Sequence, residues 1–134
     1  MSGLVLKLNP KERVLVNGAV IENGDRRSRL SILTPNANIL RLRDAIRPDE
    51  VNTPVRRVCY IAQLALSGDA EKDEAKQQIL MGIEHLSQAL RDHESRLQLN
   101  NATEAVMRLD FYRTLKSLRN LLQREARLLR AAQT

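Results

Sequence analysis

Apolar and polar residues alternate with a period of two through the first fifty positions of the chain. In residues 4–8 every second position is leucine, which is the pattern of a strand with one apolar face. Asn-Gly pairs at residues 17–18 and 23–24 indicate turns, because both residue types tolerate the positive φ that tight hairpin turns require. The pattern predicts about five short strands, at residues 4–8, 13–16, 19–22, 27–32 and 39–43.

Beyond Pro48 the apolar positions repeat with the period of an α-helix. Thr53 followed by Pro54 predicts a helix start, because Thr caps the first turn and Pro needs no backbone donor there. Gly68 predicts the end of this helix, and the Asn pair at residues 100–101 predicts a second boundary further along. A regular apolar stripe supports the helix between them: Ile79, Ile83, Leu86 and Leu90. The three predicted helices cover residues 53–67, 69–99 and 101–131.

The expected fold class is therefore α+β, with a small N-terminal antiparallel β-sheet or barrel followed by a three-helix C-terminal region. The predicted domains are a β module at residues 1–50 and a helical module at residues 53–134. A chain of 134 residues suits one domain or two small modules of this kind.

The last predicted helix has separate basic and apolar faces. At 100° per residue, its Arg and Lys residues occupy an arc of roughly 160°, and most of its Leu residues lie in an arc on the other side. This pattern is typical of a helix that packs either on its own bundle or on a partner, and the sequence leaves both open. The candidate residues for a partner or oligomer interface are Leu115, Leu118, Leu122 and Leu129.

Composition adds a strong basic character to this picture. The chain has 22 Lys and Arg residues against 16 Asp and Glu, a net charge of +6. Most of the basic residues are Arg, which suits bidentate contacts to phosphate and base edges. The alternative, a solubilising surface with structural ion pairs, has equal support from composition. The candidate nucleic-acid contacts are Arg26, Arg27 and Arg29 after a hairpin turn, and Arg41 and Arg43 on one strand face.

Several function classes lack the residues they require. The three aromatic residues are too few for a surface that stacks bases. One Cys, two His and scattered glycines provide neither a zinc site nor a phosphate-binding loop. We therefore expect no enzyme activity, no metal and no cofactor, and a buried, inert thiol at Cys59. The absence of a signal peptide and of a long apolar segment predicts a cytoplasmic protein without membrane contact.

Specific segments of the chain resemble a known family. They are Gly-Ala-Val-Ile-Glu-Asn-Gly-Asp-Arg-Arg at residues 18–27, Arg-Leu at 29–30, Leu-Arg at 40–41 and Thr-Pro-Val-Arg-Arg at 53–57. Together they resemble the signature of the flagellum biosynthesis repressor family, FlbT, over nearly the whole chain. One departure is Lys11, which stands where the family turn has Gly.

The resemblance implies a post-transcriptional regulator of flagellin. Such a protein associates with the 5′ untranslated leader of flagellin mRNA and promotes its degradation, and the five candidate arginines would contact that RNA. The helical module would then form the core and the interface of a homo-oligomer. An alternative is a protein-binding adaptor or chaperone-like partner that docks flagellin or another flagellar regulator through residues 111–131 and affects the mRNA indirectly.

Overall fold

A computed structural model describes residues 4–35 and 37–133 of the chain. The chain divides between Ala45 and Ile46 into two compact units, which we call the sheet unit and the helical unit. The α+β class predicted from the sequence is confirmed, with small antiparallel sheets followed by a helical region.

The described part of the sheet unit contains five strands in two antiparallel sheets. One sheet pairs β1 with β4, and the other has the order β3-β2-β5. The strands are β1 Leu4–Leu8, β2 Arg13–Val16, β3 Ala19–Glu22, β4 Ser28–Ile32 and β5 Ile39–Arg41. The predicted strand positions are therefore confirmed to within one or two residues. The prediction that Arg41 and Arg43 share a strand face is wrong, because β5 ends at Arg41 and Arg43 lies in the 3-10 helix Leu42–Asp44 that follows.

The alternation of side chains along the strands produces the small core of the sheet unit. Leu6 and Leu8 of β1 are buried together with Val14 of β2. Because successive side chains of a strand point to opposite faces, the intervening Lys7 is exposed.

The two Asn-Gly pairs have different structures. Asn17 and Gly18 both have positive φ, 47° and 86°, and join β2 to β3 as a two-residue hairpin turn, as predicted. Gly24 does not have a positive φ, and Asn23 instead uses its side chain to bind neighbouring backbone. Its Nδ2 donates to the carbonyl oxygens of Asn9 at 2.7 Å and Arg26 at 2.9 Å. The prediction of a second turn with positive φ is wrong, because the Asn23 amide and backbone hydrogen bonds from Asn23 to Glu12 and from Lys11 to Gly24 hold this segment without one.

The described part of the helical unit contains five α-helices instead of the three predicted. The first begins and ends where the sequence indicated, since Thr53 Oγ1 accepts from the Arg56 N–H at 3.2 Å and Gly68 has a left-handed φ of 85°. The helices are α1 Pro54–Ser67, α2 Lys72–Ala89, α3 His93–Met107, α4 Phe111–Arg119 and α5 Leu122–Ala132.

The second predicted helix is divided at Leu90 instead of ending at residues 100–101, which lie inside α3. Asp92 caps the new start, because its carboxylate accepts from the N–H of Ser95 at 3.1 Å and from its hydroxyl at 2.7 Å. The predicted boundary at the Asn pair is therefore wrong, and the capping aspartate was the better signal.

The last predicted helix is divided twice. Leu109 adopts a left-handed φ of 59°, and the Asp110 N–H returns to the Ala105 carbonyl at 2.9 Å, which together form a Schellman end. Asp110 then caps α4 through the Arg113 N–H. Between α4 and α5 the backbone tightens, since the Leu121 N–H bonds to the carbonyl three residues earlier, that of Leu118.

Close packing of α1 against α2 depends on a glycine inside a helix. A Cβ built on Gly82 would lie 2.5 Å from Val58 Cγ2, so only glycine fits this contact without movement. None of the helices in the described residues combines the length and the apolar character needed to cross a membrane.

Candidate functional site

A groove with five cationic side chains lies in the sheet unit, and we call it the basic groove. Its volume is about 470 Å³. The lining residues are Lys7, Leu8, Asn9, Arg27, Ser28, Arg29, Arg41 and Arg43. Four of the five arginines proposed from the sequence therefore meet at one place.

Strand pairing sets the centre of the groove. Lys7 of β1 is directly opposite Arg29 of β4 in the antiparallel register. Their side chains stand on the face away from the buried Leu6 and Leu8, as the period of two requires. Lys7 was not among the predicted contacts, although its place between two core leucines was the signal that could have found it.

Arg27 enters the groove from the loop that Asn23 holds in place. Besides its bonds to Asn9 and Arg26, the side-chain oxygen of Asn23 accepts from Ser28 Oγ at 2.6 Å. Arg26, the fifth predicted contact, is exposed but does not line the groove. The loop therefore directs one of the two adjacent arginines into the groove.

Arg41 is engaged by protein groups. Its Nε and Nη2 donate to the two carboxylate oxygens of Glu12 at 2.8 and 2.9 Å, and Nη2 also donates to the Lys7 carbonyl at 2.6 Å. The Glu12 side chain is only 6% exposed, and Arg43 Nε lies 3.8 Å from its Oε2. Arg41 thus links β5 to the 9–12 turn and to β1, which is a positioning role.

The same contacts determine the ionisation of Glu12. The hydrogen bond from Arg41, followed by that from the Asn9 backbone, lowers the pKa of Glu12 from its ordinary 4.5 to about 2. The carboxylate is therefore charged at neutral pH and offsets part of the positive charge of Arg41 and Arg43.

The other three cations of the groove, Lys7, Arg27 and Arg29, are not neutralised by ion pairs within the described residues. In residues 4–35 and 37–133, no carboxylate forms an ion pair with Lys7, Arg27 or Arg29. The nearby Lys11 differs, since its Nζ lies 2.9 Å from Asp25 Oδ1 outside the groove. The groove can therefore bind an anion without first breaking ion pairs at these three residues.

The predicted interface leucines are split between core and surface. Leu115 and Leu118 are 3% and 0% exposed, so they pack inside the helical unit and are not available to a partner in this conformation. Leu122 is half-buried, whereas Leu129 is 46% exposed. The apolar face of the last predicted helix therefore serves mainly the bundle itself.

Cys59 is buried in α1, as expected from its apolar neighbours. Burial raises the pKa of its thiol to about 12, which makes it a poor nucleophile at neutral pH. The thiol therefore contributes packing and not reactivity.

Comparison with known proteins gives a consistent result. The family described as "Flagellar protein FlbT" matches residues 4–129. A probable flagellum biosynthesis repressor protein FlbT from Caulobacter sp. is 29% identical over 122 residues, covering 91% of this chain and 92% of that protein. The flagellum biosynthesis repressor protein FlbT of Caulobacter vibrioides is 28% identical over 91% of this chain and 86% of its own. A probable flagellum biosynthesis repressor protein, FlbT 1 from Bradyrhizobium diazoefficiens, is 32% identical over 93% of this chain and 84% of its own. No solved structure matches the chain.

Proposed function

The chain belongs to the FlbT family, and from this membership we propose that it represses flagellum biosynthesis by binding the 5′ untranslated region of flagellin mRNA and promoting degradation of that mRNA. The observation that carries the proposal is the convergence of Lys7, Arg27, Arg29 and Arg43 on one groove. The proposal assigns RNA binding to the groove and strand cleavage to a separate nuclease.

Charge and chemistry support RNA as the ligand of this groove. The sheet unit contains 8 basic and 4 acidic residues, a net charge of +4, which favours association with a polyanion. Arginine guanidinium groups suit phosphate oxygens because they donate two parallel hydrogen bonds. A leader RNA provides single-stranded loops whose backbone is accessible to such a surface.

The salt dependence of binding tests the proposal. Four cations that each neutralise one phosphate give a slope of log K against log[salt] of about −2.8 for single-stranded RNA. Titration of the purified full chain with labelled flagellin leader RNA, at several salt concentrations, measures this slope. A flat salt response, or no binding, would contradict direct RNA contact.

Substitutions locate the contact. Arg27→Ala combined with Arg29→Ala should weaken leader binding by at least about tenfold and reduce the slope to about −1.4. The matched control is Arg57→Ala with Arg96→Ala, which removes two exposed arginines of the helical unit. Equal losses in the two double variants would contradict an RNA site at the groove.

A second candidate function, the protein-binding adaptor, has one supporting observation. Leu128 and Leu129 near the end of α5 are 37% and 46% exposed, beside the exposed Arg127 and Arg130. Binding of flagellin or another flagellar regulator, or self-association into a homo-oligomer, would cover these leucines. Leu128→Ala with Leu129→Ala should then abolish repression in cells while leader binding in vitro stays unchanged. Full repression by this variant would contradict the adaptor function.

A further inference from the structure

Two like charges face each other at the centre of the basic groove. Lys7 and Arg29 are direct cross-strand partners, an arrangement that destabilises an antiparallel pair. No carboxylate in the described residues pairs with either side chain. An anion between them would convert this repulsion into two attractive contacts.

The other side chains of the groove also favour a phosphate over a base. Arg27 and Arg43 add two further cationic donors. The Ser28 hydroxyl adds no free donor, because it already donates to Asn23. None of the lining residues is aromatic, whereas sequence-specific recognition of single-stranded RNA depends on stacking of splayed bases. The groove therefore provides hydrogen-bond donors and positive charge but no aromatic ring on which a base can stack.

We propose that the basic groove binds the sugar–phosphate backbone of RNA without distinguishing its bases, and that one phosphate lies between Lys7 and Arg29. This inference rests on the proposed function, since it names what the groove contacts in the leader. It implies that selectivity for the leader arises from RNA shape or from another surface of the protein.

The stability of the free protein gives the first test. Lys7→Gln or Arg29→Gln removes the repulsion, so each variant should have a melting temperature at least as high as that of the parent while its affinity for RNA falls. The control Lys11→Gln removes the same charge from a side chain outside the groove, and should retain parental affinity. Lower melting temperatures for both groove variants, or unchanged RNA affinity, would overturn the proposal that a phosphate lies between Lys7 and Arg29.

Competition binding gives the second test. Labelled leader RNA is displaced from the full chain by unlabelled leader, by unstructured RNAs of equal length and different sequence, and by inorganic polyphosphate, which has no bases. We expect the inhibition constants of the unstructured RNAs to agree with one another within about threefold. We also expect polyphosphate to displace the labelled leader. The combined loss in Lys7→Gln/Arg29→Gln should be smaller than the product of the single losses, because both side chains bind one phosphate.

The outcomes separate this inference from the proposed function. A strong preference among the unstructured RNAs that disappears in Arg29→Gln would show base recognition by the groove, which overturns the inference and retains RNA binding. Direct binding of polyphosphate to the full chain, without any binding of leader RNA, would overturn the proposed function and leave phosphate as the ligand of the groove. If neither the leader RNA nor any competitor binds the chain, both the proposed function and this inference are overturned.

Discussion

Glu12 holds Arg41, and lies close to Arg43, among the arginines of the groove. Its carboxylate accepts two hydrogen bonds from Arg41 and one from the Asn9 N–H, and it lies close to Arg43. Arg41 was proposed from the sequence as an RNA contact, but the structure gives its guanidinium protein acceptors. The partners are 29 positions apart, and no local pattern in the sequence indicates such a pairing.

The pH dependence of stability tests the contribution of Glu12. Its pKa lies at about 2 in the folded chain, below the ordinary 4.5, so its stabilising effect is fully present above pH 4.5 and is lost as the pH falls toward 2. Glu12→Gln should therefore be less stable than the parent at neutral pH, and the difference should shrink with acidification. Denaturant unfolding from pH 7 down to pH 2.5 measures the difference, and a constant gap across this range would contradict the assignment.

Lys11 occupies a backbone conformation that suits glycine. Its φ of 62° places an L-residue in the left-handed region, which costs about 1–2 kcal/mol. Its ion pair with Asp25 is exposed on both sides and therefore contributes little. Glycine, the residue that the family resemblance implies at this position, would adopt this φ without that cost.

We predict that Lys11→Gly raises the free energy of unfolding by about 0.5–1 kcal/mol, the relief of strain less the greater entropy of glycine in the unfolded chain. Lys11→Ala is the control, since it removes the same ion pair but keeps a Cβ, and it should give no gain. Chemical denaturation measures the free energy of unfolding of the two variants. Equal values for Lys11→Gly and Lys11→Ala would contradict backbone strain at Lys11.

Helix boundaries were the least predictable feature at the scale of elements. The ends of α1 were predicted correctly because Thr53 and Gly68 carry standard capping chemistry. The end of α3 was missed because Leu109, and not glycine, takes the left-handed position. The apolar stripe of the second predicted helix has its last residue at Leu90, the C-cap of α2, whereas the Asn pair at residues 100–101 lies inside α3.

The contact of α1 with α2 gives a prediction for Gly82. Gly82→Ala should lower the free energy of unfolding by roughly 1–3 kcal/mol, even though Ala favours a helix by about 1 kcal/mol. The reason is that Val58 is buried and β-branched, so it cannot easily move away from a new methyl group. Ser87→Ala, at an exposed position of α2, is the control and should change stability by less than about 0.5 kcal/mol. A stabilised Gly82→Ala variant would contradict the close approach.

At the scale of the whole molecule, the places of the cationic side chains distinguish the two units better than the net charge does. The net charge of +6 and the large number of arginines do not distinguish an anion-binding surface from one that only makes the protein soluble. In the structure five cations of the sheet unit line one groove. Three of them, Lys7, Arg27 and Arg29, form no ion pair within the described residues, whereas several arginines of the helical unit have acidic partners, such as Arg113 with Asp110 and Arg124 with Asp92.

Arg127→Ala with Arg130→Ala therefore makes a second charge-matched comparison for the groove. This variant removes two positive charges, as Arg27→Ala with Arg29→Ala does, but from exposed positions on α5. We expect its affinity for leader RNA to stay within about threefold of the parent, because only nearby cations neutralise the bound phosphates. A loss as large as that of the groove variant would mean that overall charge governs binding.

The sequence by itself determined the features that depend on neighbouring residues. The strands follow from alternation, the first helix from its caps, the turn at Asn17 and Gly18 from their tolerance of positive φ, and the basic character from composition. Only the tertiary structure decided which leucines are buried, which arginine Glu12 binds, and that Lys7 faces Arg29. These outcomes depend on contacts between residues far apart in the chain, and packing and strand register create them only when the chain folds.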